Sequence, residues 1–293
     1  MADLLLGLAH LIQHRYFQIS THTGTTQQIP VGQQFESYCK DWLSLIPPGH
    51  TQNRAQNYGS AFCYEGSANN PPDAMYRGGN DGDAFEFKKF EQQPSAIPLN
   101  SSYPKDTLHA TSPSISIACR GCEHWTTRTL YYVVGAIPQQ SQRISSMWVV
   151  DGALLAATNN YYENIFNSIQ SNINTLAQSL GATTSQSREL GRLTGIDPLR
   201  NTTMRCRAMW ELKSPSNVFG GLAGVQDVPS NSPVSVLHAL ILDCKWSKYP
   251  ATSQAALNGL IGTKGFNMTR GVVLPDPNNP TNTLSATLIR FQA

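Results

Sequence analysis

Between residues 72 and 88 the chain carries two carboxylates and an amine at a spacing that suits metal-assisted hydrolysis of a phosphodiester. Pro72-Asp73 is followed by twelve residues and then by Glu86-Phe87-Lys88. Such a reaction needs a cation to neutralise charge on the phosphoryl oxygens and a water made more nucleophilic. Mg²⁺ suits the carboxylates, because this hard ion takes one or two of them and completes its shell with waters and substrate phosphate. In extended chain, residues two apart share a face. Lys88 therefore stands beside Glu86, where its ammonium can reach the attacking water or the scissile phosphate. The backbone carbonyl of Phe87 is a further candidate ligand.

The elements that must position these groups follow from the surrounding residues. DAMYRGGNDGDAFEFKKF, from residue 73 to 90, reads as a β-hairpin whose Gly/Asn/Asp cluster supplies the positive φ of a turn. Folding about residues 78–82 returns Asp73 to the level of Glu86 and Lys88, with cross-strand side chains roughly 5 Å apart. The register can slip by one, and Asp83 competes with Asp73. Asp83 lies three residues before Glu86, so on a regular strand it faces away from it, and Asp73 is preferred. Exposed hairpins often carry Glu and Lys as solvated residues. Here Phe85, Phe87 and Phe90 interleave with the charges, so the apolar set can face a core while the charged set shares a site.

Elsewhere the patterning predicts an amphipathic first helix and a polar loop, STHTGTTQQIPVG. A helix over about 32–45 follows, with Phe35, Tyr38, Cys39, Trp42 and Leu43 on one face. Residues 46–70 read as loop. Strands are expected at 114–118, 129–136, 146–151 and 153–157. The second and third of these are apolar on both faces, as central strands are. A long helix follows, with Tyr162, Ile165, Phe166, Ile169, Ile173, Leu176 and Leu180 in one apolar stripe. Residues 185–213 are locally basic. Late strands are expected at 203–212, 234–243 and 284–291, with 275–283 a surface loop. The pattern is α/β with a mixed central sheet flanked by helices.

Composition narrows the function classes. Of 293 residues, 40% are apolar, enough for a sizeable core, and the 14% that are charged fall below the usual ~25%. A net charge of +2 is small for a protein that coats DNA, so any DNA-facing charge must be local. The six scattered cysteines suggest reduced thiols in a cytosol. The apolar run at the start is too short to span a bilayer and lacks the flanks of a signal peptide. Neither a G-x-S-x-G elbow nor a P-loop occurs. Cys119 and Cys122 have zinc-knuckle spacing without a second pair, which favours a turn with two buried thiols. His238 reads as a hydrogen-bonded core histidine.

NNPPDAMYRGGNDGDAFEFKKFE followed by LNSSYPKD resembles the NgoPII-type restriction endonucleases of the PD-(D/E)xK nuclease superfamily. The resemblance continues through CRGCEHW, YYVVG, YYENIF, LGRLTGIDPLR and MRCRAMWELKSPSNVF, over roughly residues 32–220. It implies a restriction-endonuclease-like core in a single domain over 1–293, with catalysis in about 32–180 and DNA recognition in about 185–293. It further implies a cytoplasmic type II enzyme, a homodimer that cuts double-stranded DNA at a short G/C-rich palindrome with Mg²⁺. A separately encoded methyltransferase would protect the same site. Asp73 and Glu86 would hold metal, Lys88 would activate water, and Glu36 would complete the metal shell. The hairpin tip GGNDGD and the chain beyond residue 220 depart from the pattern, which puts the target sequence in doubt.

An enzyme of this kind must also read bases, most commonly with Arg against guanine. Arg205 and Arg207 alternate on one strand, and Arg200 and Arg192 could add base or phosphate contacts. Ordinary ion pairs with Glu211 or Glu189 are the competing reading for these arginines. Asn100, Ser101, Ser102, Tyr103 and Lys105 suit phosphate or groove contacts, as does Lys89, which points away from Lys88. Two other functions stay open: a DNA-binding protein that does not cut, and a nuclease of the same chemistry that cuts by DNA structure.

Overall fold

The computed structural model describes residues 2–19, 31–50, 52–66, 70–100, 102–139, 141–185 and 189–293. The chain opens with α1 (Leu4–His14), α2 (Val31–Leu43) and α3 (Arg54–Ala61), then β1 (Phe62–Tyr64), β2 (Ala74–Tyr76), β3 (Ala84–Phe90), β4 (Ala96–Asn100) and β5 (Thr107–His109). Next come α4 (Ile117–Arg120), β6 (Thr127–Ala136), β7 (Ser146–Asp151) and α5 (Asn159–Ser179). Then follow β8 (Thr183–Thr184), β9 (Gly191–Thr194), β10 (Thr203–Cys206) and β11 (Trp210–Lys213). The chain closes with α6 (Pro215–Phe219), β12 (Val236–Leu242), α7 (Ala251–Asn258), β13 (Phe266–Asp276) and β14 (Asn279–Gln292).

The main sheet runs β1-β2-β3-β6-β7-β12-β14-β13, with β5 on a side of β6. It is mixed: β3 with β6 and β7 with β12 are parallel, whereas the other pairs along it are antiparallel. β7 and β12 are buried at every position, and β6 at all but one end. That accounts for runs such as YYVV and WVV, which have no polar side to offer water. One face carries Phe85, Phe87, Tyr131, Val133 and Val149 against α1, α2 and α7. The other carries Ala84, Tyr132, Val134, Trp148 and Val150 against residues of α4 and α6. The α/β expectation with a mixed, helix-flanked sheet is therefore met. Asp3 starts α1 by accepting the Leu6 N–H at 3.0 Å, and Arg15 ends it in the left-handed region.

Several local expectations fail, each for a physical reason. Residues 114–118 are not a strand: Ser116 caps α4 by accepting the Cys119 N–H at 3.1 Å. Residues 153–157 are not a strand either, because Asp151 accepts the Ala153 N–H and starts a 3-10 turn. Residues 46–70, expected as loop, hold α3 and β1. The strand expected over 203–212 divides into β10, which joins β9, and β11, which joins β4. The expected loop at 275–283 is mostly the tip of the long β13–β14 hairpin. Cys63 and Cys122 form a disulfide, with Cα atoms 5.4 Å apart, because β1 and the turn after α4 meet there. The expectation of six reduced thiols is corrected accordingly. Cys39, Cys119, Cys206 and Cys244 are free. His238 is buried as expected and rests on the Trp148 ring. The hydrogen bond expected of it is not seen at Nδ1, which is buried without a partner among the described residues. Among the described residues, no helix is long and apolar enough to cross a membrane. The polar loop read over 20–32 lies outside the described residues up to residue 30, and its last two residues, Val31 and Gly32, begin α2. Ser101 also lies outside the described residues.

Candidate active site

β2 and β3 pair as the hairpin reading required, with Ala74 opposite Phe85 and Met75 opposite Ala84. One residue before β2, the Asp73 N–H donates to the Phe85 carbonyl at 2.8 Å. Its carboxylate in turn accepts the Phe87 N–H at 2.6 Å. Asp73 is thus locked to β3 by backbone on one side and side chain on the other. In a strand, a residue's N–H and C=O point to the same side. The Phe87 carbonyl is therefore on the edge that Asp73 occupies. Glu86 and Lys88 share a face, and the Lys88 Nζ lies 2.7 Å from Glu86 Oε1. Glu86 Oε2 is buried and accepts no hydrogen bond.

Burial and the neighbouring Glu86 carboxylate push the Asp73 carboxyl up to about 8, and Glu36 adds to the rise. The Phe87 N–H and the Lys88 ammonium oppose it without prevailing. For Lys88, burial pulls downward, but Glu86 and then Asp73 outweigh it, so the ammonium is held above its ordinary value. Glu36, on α2, is bound at 2.6 Å by Lys40, whose Nζ also reaches the Glu65 carbonyl. Lys40 went unnoticed in the sequence, although Glu36–Lys40 is an i,i+4 pair of the stabilising orientation.

No group of three or more His, Cys, Asp or Glu side chains forms a ready metal cage among the described residues. The groups present nonetheless fit a hard divalent cation. The donors are oxygens, one Glu86 oxygen is buried without a partner, and Asp73 gives up its proton only with difficulty beside Glu86. A cation there would relieve both penalties. Asp83, the rival aspartate, is fully buried, ion-paired to Lys248 and hydrogen-bonded to the Tyr249 hydroxyl at 3.0 Å. It is a structural anchor between β3 and the segment before α7.

The predicted phosphate contacts after β3 divide. Asn100 ends β4, opposite Trp210 of β11. The Ser102 N–H donates to the Leu99 carbonyl at 3.1 Å, closing a turn. Tyr103 donates to Glu163 of α5 at 2.6 Å. Lys105, expected at a DNA surface, is instead 2% exposed. Its ammonium donates to Ser102 Oγ at 2.8 Å and the Tyr103 carbonyl at 3.1 Å. Burial pulls it down to about 8 against the pull of Glu86 and Glu163. Lys89 is half-buried on the face opposite Lys88.

The arginines lie on a separate three-stranded sheet, β10-β9-β8. Arg205 is directly opposite Arg192, so both stand on one face. Leu193 and Cys206 take the other face, toward Ala177 and Ile173 of α5. Glu189 accepts from the Arg205 guanidinium, with Nε at 3.1 Å, and from Arg207 Nε at 2.7 Å. Hydrogen bonds from Arg205 first and Arg207 second pull Glu189 down to about 2. The ion pairing weighed as the plain alternative is therefore present, with Glu189 as the partner. Arg200 sits at positive φ and donates to the Gly181 carbonyl at 3.1 Å, tying the sheet to the end of α5.

Comparison with known proteins adds an independent line. The NgoPII restriction endonuclease family model matches residues 2–273, well beyond the 32–220 that the resemblance had covered. The type II restriction enzyme NgoPII of Neisseria gonorrhoeae is 30% identical over 291 residues, 99% of this chain and 99% of that protein. No solved structure gives a significant match.

Proposed function

Because the chain belongs to the NgoPII restriction endonuclease family, we propose that it cuts double-stranded DNA at a specific short site, with Asp73, Glu86 and Lys88 as the reacting corner. The observation that carries the proposal is the half-buried carboxylate pair. Glu86 keeps one oxygen on Lys88 and the other without a partner, beside an Asp73 pushed up to about 8 by burial and by Glu86.

In this reading Asp73, Glu86 and the Phe87 carbonyl hold Mg²⁺, with Glu36 completing the shell. The ion, when bound, neutralises charge on the phosphoryl oxygens and makes water more acidic. Lys88 reaches past Glu86 to orient the attacking water, or the scissile phosphate, by donating a hydrogen bond. Lys88 keeps its proton at neutral pH because Glu86 and Asp73 favour the charged ammonium, so its first role is electrostatic. Asp73 is held by the Phe87 N–H on one oxygen, which leaves its other oxygen to the ion in this reading.

Arg205, Arg207, Arg192 and Arg200 supply base and phosphate contacts, and paired guanidiniums favour guanine. A G/C-rich palindrome and a two-fold dimer follow as parts of the same proposal. So do action in the cytoplasm, where cellular DNA lies, and a separately encoded methyltransferase that spares the host's own sites. Asn100, Ser101, Ser102, Tyr103 and Lys89 are proposed to line the DNA path, with the buried Lys105 bracing the turn behind them.

The test is digestion of a DNA of known sequence by the purified chain, with Mg²⁺ and with EDTA. Discrete fragments that vanish with EDTA are expected, and sequencing their ends gives the target. A smear would replace site-specific cutting by a non-specific or structure-selective nuclease. Intact DNA in both samples would leave a protein that binds without cutting.

A further inference from the structure

Behind Asp73 the chain keeps a second cation that the reacting corner does not use. Lys40, on α2, is 6% exposed. A lysine is almost never so buried unless its ammonium is paired. This one has two partners, Glu36 Oε1 at 2.6 Å and the Glu65 carbonyl at 2.5 Å. The second bond reaches the corner through the backbone. Gly66 follows Glu65 at a φ of +88°, and a Cβ there would meet the Asp73 carbonyl oxygen at 2.5 Å. Lys40 therefore fastens α2 to the segment that lies directly against Asp73. The first bond holds Glu36, whose charge adds to what burial and Glu86 do to the Asp73 carboxyl. Glu36 and Asp73 also both act on the buried Cys39 thiol, which burial raises first. The two carboxyl groups are thus neighbours, and Lys40 is bonded to one of them and to the chain that backs the other.

We propose that Lys40 is a positioning residue that holds Glu36 in the metal-free protein and competes for it with the divalent cation of the reacting corner. The pair is built for such an exchange. The Lys40 side chain is 8% exposed and that of Glu36 36%. The carboxylate can therefore turn to an ion arriving from solvent while the ammonium stays behind. Lys40 keeps the Glu65 carbonyl after that exchange, and with it the seat of Gly66 on Asp73. An ordinary i,i+4 pair supports its own helix from a solvated face. This one is buried at the lysine end and bonded to the backbone of another segment. Without Lys40, Glu36 would add an unmatched negative charge beside Asp73. With it, that charge is offset, and a positive charge a few ångströms from a cation site opposes a second cation. Lys40 thus sets how tightly the corner holds Mg²⁺, a role that rests on the proposed function.

The experiment titrates Mg²⁺ into the full chain, with and without DNA, and reads calorimetric heat and the rise in melting temperature. Plasmid cleavage over the same Mg²⁺ series runs in parallel. Lys40→Gln keeps an N–H for the Glu65 carbonyl and removes the charge. It is expected to bind Mg²⁺ about five- to ten-fold more tightly at low salt. Lys40→Arg, which keeps the charge, should stay within about three-fold of wild type by the same reasoning. Glu36→Gln should bind Mg²⁺ more weakly, because the carboxylate that Lys40 holds is the one the ion takes. A lysine with a purely structural role would lower the melting temperature in Mg²⁺-free buffer and leave the Mg²⁺ midpoint unmoved. Circular dichroism checks folding, and Lys40→Met repeats the neutral exchange if Lys40→Gln fails to fold. Mg²⁺ held equally or more weakly by the neutral variant, or unchanged by Glu36→Gln, would overturn the inference while Mg²⁺-dependent cutting kept the functional reading. Tighter Mg²⁺ binding by the neutral variant of a chain that never cuts DNA would overturn the functional reading and leave the role of Lys40 standing. A chain that binds no Mg²⁺ in any form, with or without DNA, would overturn both.

Discussion

Glu86 and Lys88 stand on β3, and Asp73 just before its partner strand β2, in a sheet buried on both faces. Arg192, Arg205 and Arg207 belong to a three-stranded sheet and its flank, packed on one helix. The two regions handle charge in opposite ways. At the carboxylate corner two half-buried carboxyl groups share one half-buried ammonium, and a Glu86 oxygen is left without a partner. The unpartnered Glu86 oxygen and the raised Asp73 carboxyl both favour a further cation there. On the arginine sheet the charges are exposed, and Glu189 already satisfies two of them. A site for chemistry is pre-organised at a cost in stability. A site for recognition can be kept in a cheap, exchangeable ion pair until DNA displaces it.

The largest expected effect tests the first half of that contrast. Lys88→Ala and Asp73→Asn are predicted to reduce cleavage by at least about a thousand-fold, while gel-shift affinity for the target changes little. Loss of binding together with cleavage, in a folded variant, would remove these residues from the reacting corner. The same Asp73→Asn exchange also reports on strain. A carboxyl raised from 3.8 to about 8 contributes stability that is full below pH 3.8 and lost as pH rises through about 8. In metal-free buffer at pH 8.5 the variant should therefore melt a few degrees above wild type. Added Mg²⁺ should narrow the gap by stabilising wild type alone. An unchanged melting temperature would mean that the corner is not strained.

Lys105 sharpens the comparison next, being a cation buried near Glu86 without a carboxylate at hydrogen-bond distance among its bonds. Its value is lowered from 10.5 to about 8. The folded state therefore holds its proton less well than the unfolded chain, and stability is lost as pH falls from about 10.5 through about 8. At pH 7, Lys105→Met is predicted to stabilise the fold by on the order of 3 kcal/mol, and the gain should vanish above pH 10.5. Denaturant titration at the two pH values reads this directly. A destabilised variant at pH 7 would show that the ammonium's hydrogen bonds outweigh its burial. Below this in size is Arg205→Ala. It should weaken target binding roughly ten- to a hundred-fold and relax discrimination at one base pair, leaving the rate of cutting by bound enzyme nearly unchanged.

The two regions were also unequally legible in the sequence. The hairpin could be read because its turn chemistry and its Phe85/Glu86/Phe87/Lys88 alternation agree, and local geometry alone brings Asp73 to Phe87. The choice of Asp73 over Asp83 rested on strand parity, and the fold gives Asp83 a partner, Lys248, that lies 165 residues away. No local pattern announces such a pair. Lys105 looked like a surface lysine among small polar residues. Its burial depends on Tyr132 of β6 and Tyr103 folding over it. α5 was read correctly as amphipathic, but periodicity reports only that a helix has an apolar face. It does not say whether the same chain covers that face. The break between β10 and β11 was hidden for a similar reason: each half pairs with a strand that sequence distance does not suggest, Gly191–Thr194 for one and Ala96–Asn100 for the other.

The smallest effect concerns Glu189 and runs against intuition for a surface ion pair. If this carboxylate stands in for DNA phosphate in the free protein, removing its charge should not weaken DNA binding. Glu189→Gln is predicted to raise affinity for unrelated DNA a few-fold, because the Arg205 and Arg207 guanidiniums no longer have to leave a partner. The salt dependence should steepen by up to about two, the number of guanidiniums released to meet phosphates. Target affinity should rise less, so the ratio of specific to non-specific binding falls. Thermal stability should barely move, since both arginines are more than half exposed, at 53% and 55%. Binding isotherms on target and scrambled duplexes at several salt concentrations separate the outcomes. A variant that binds both duplexes more weakly would mean that Glu189 holds the arginines in their reading geometry. The arginine sheet would then be pre-organised like the carboxylate corner, and the contrast between the two regions would fail.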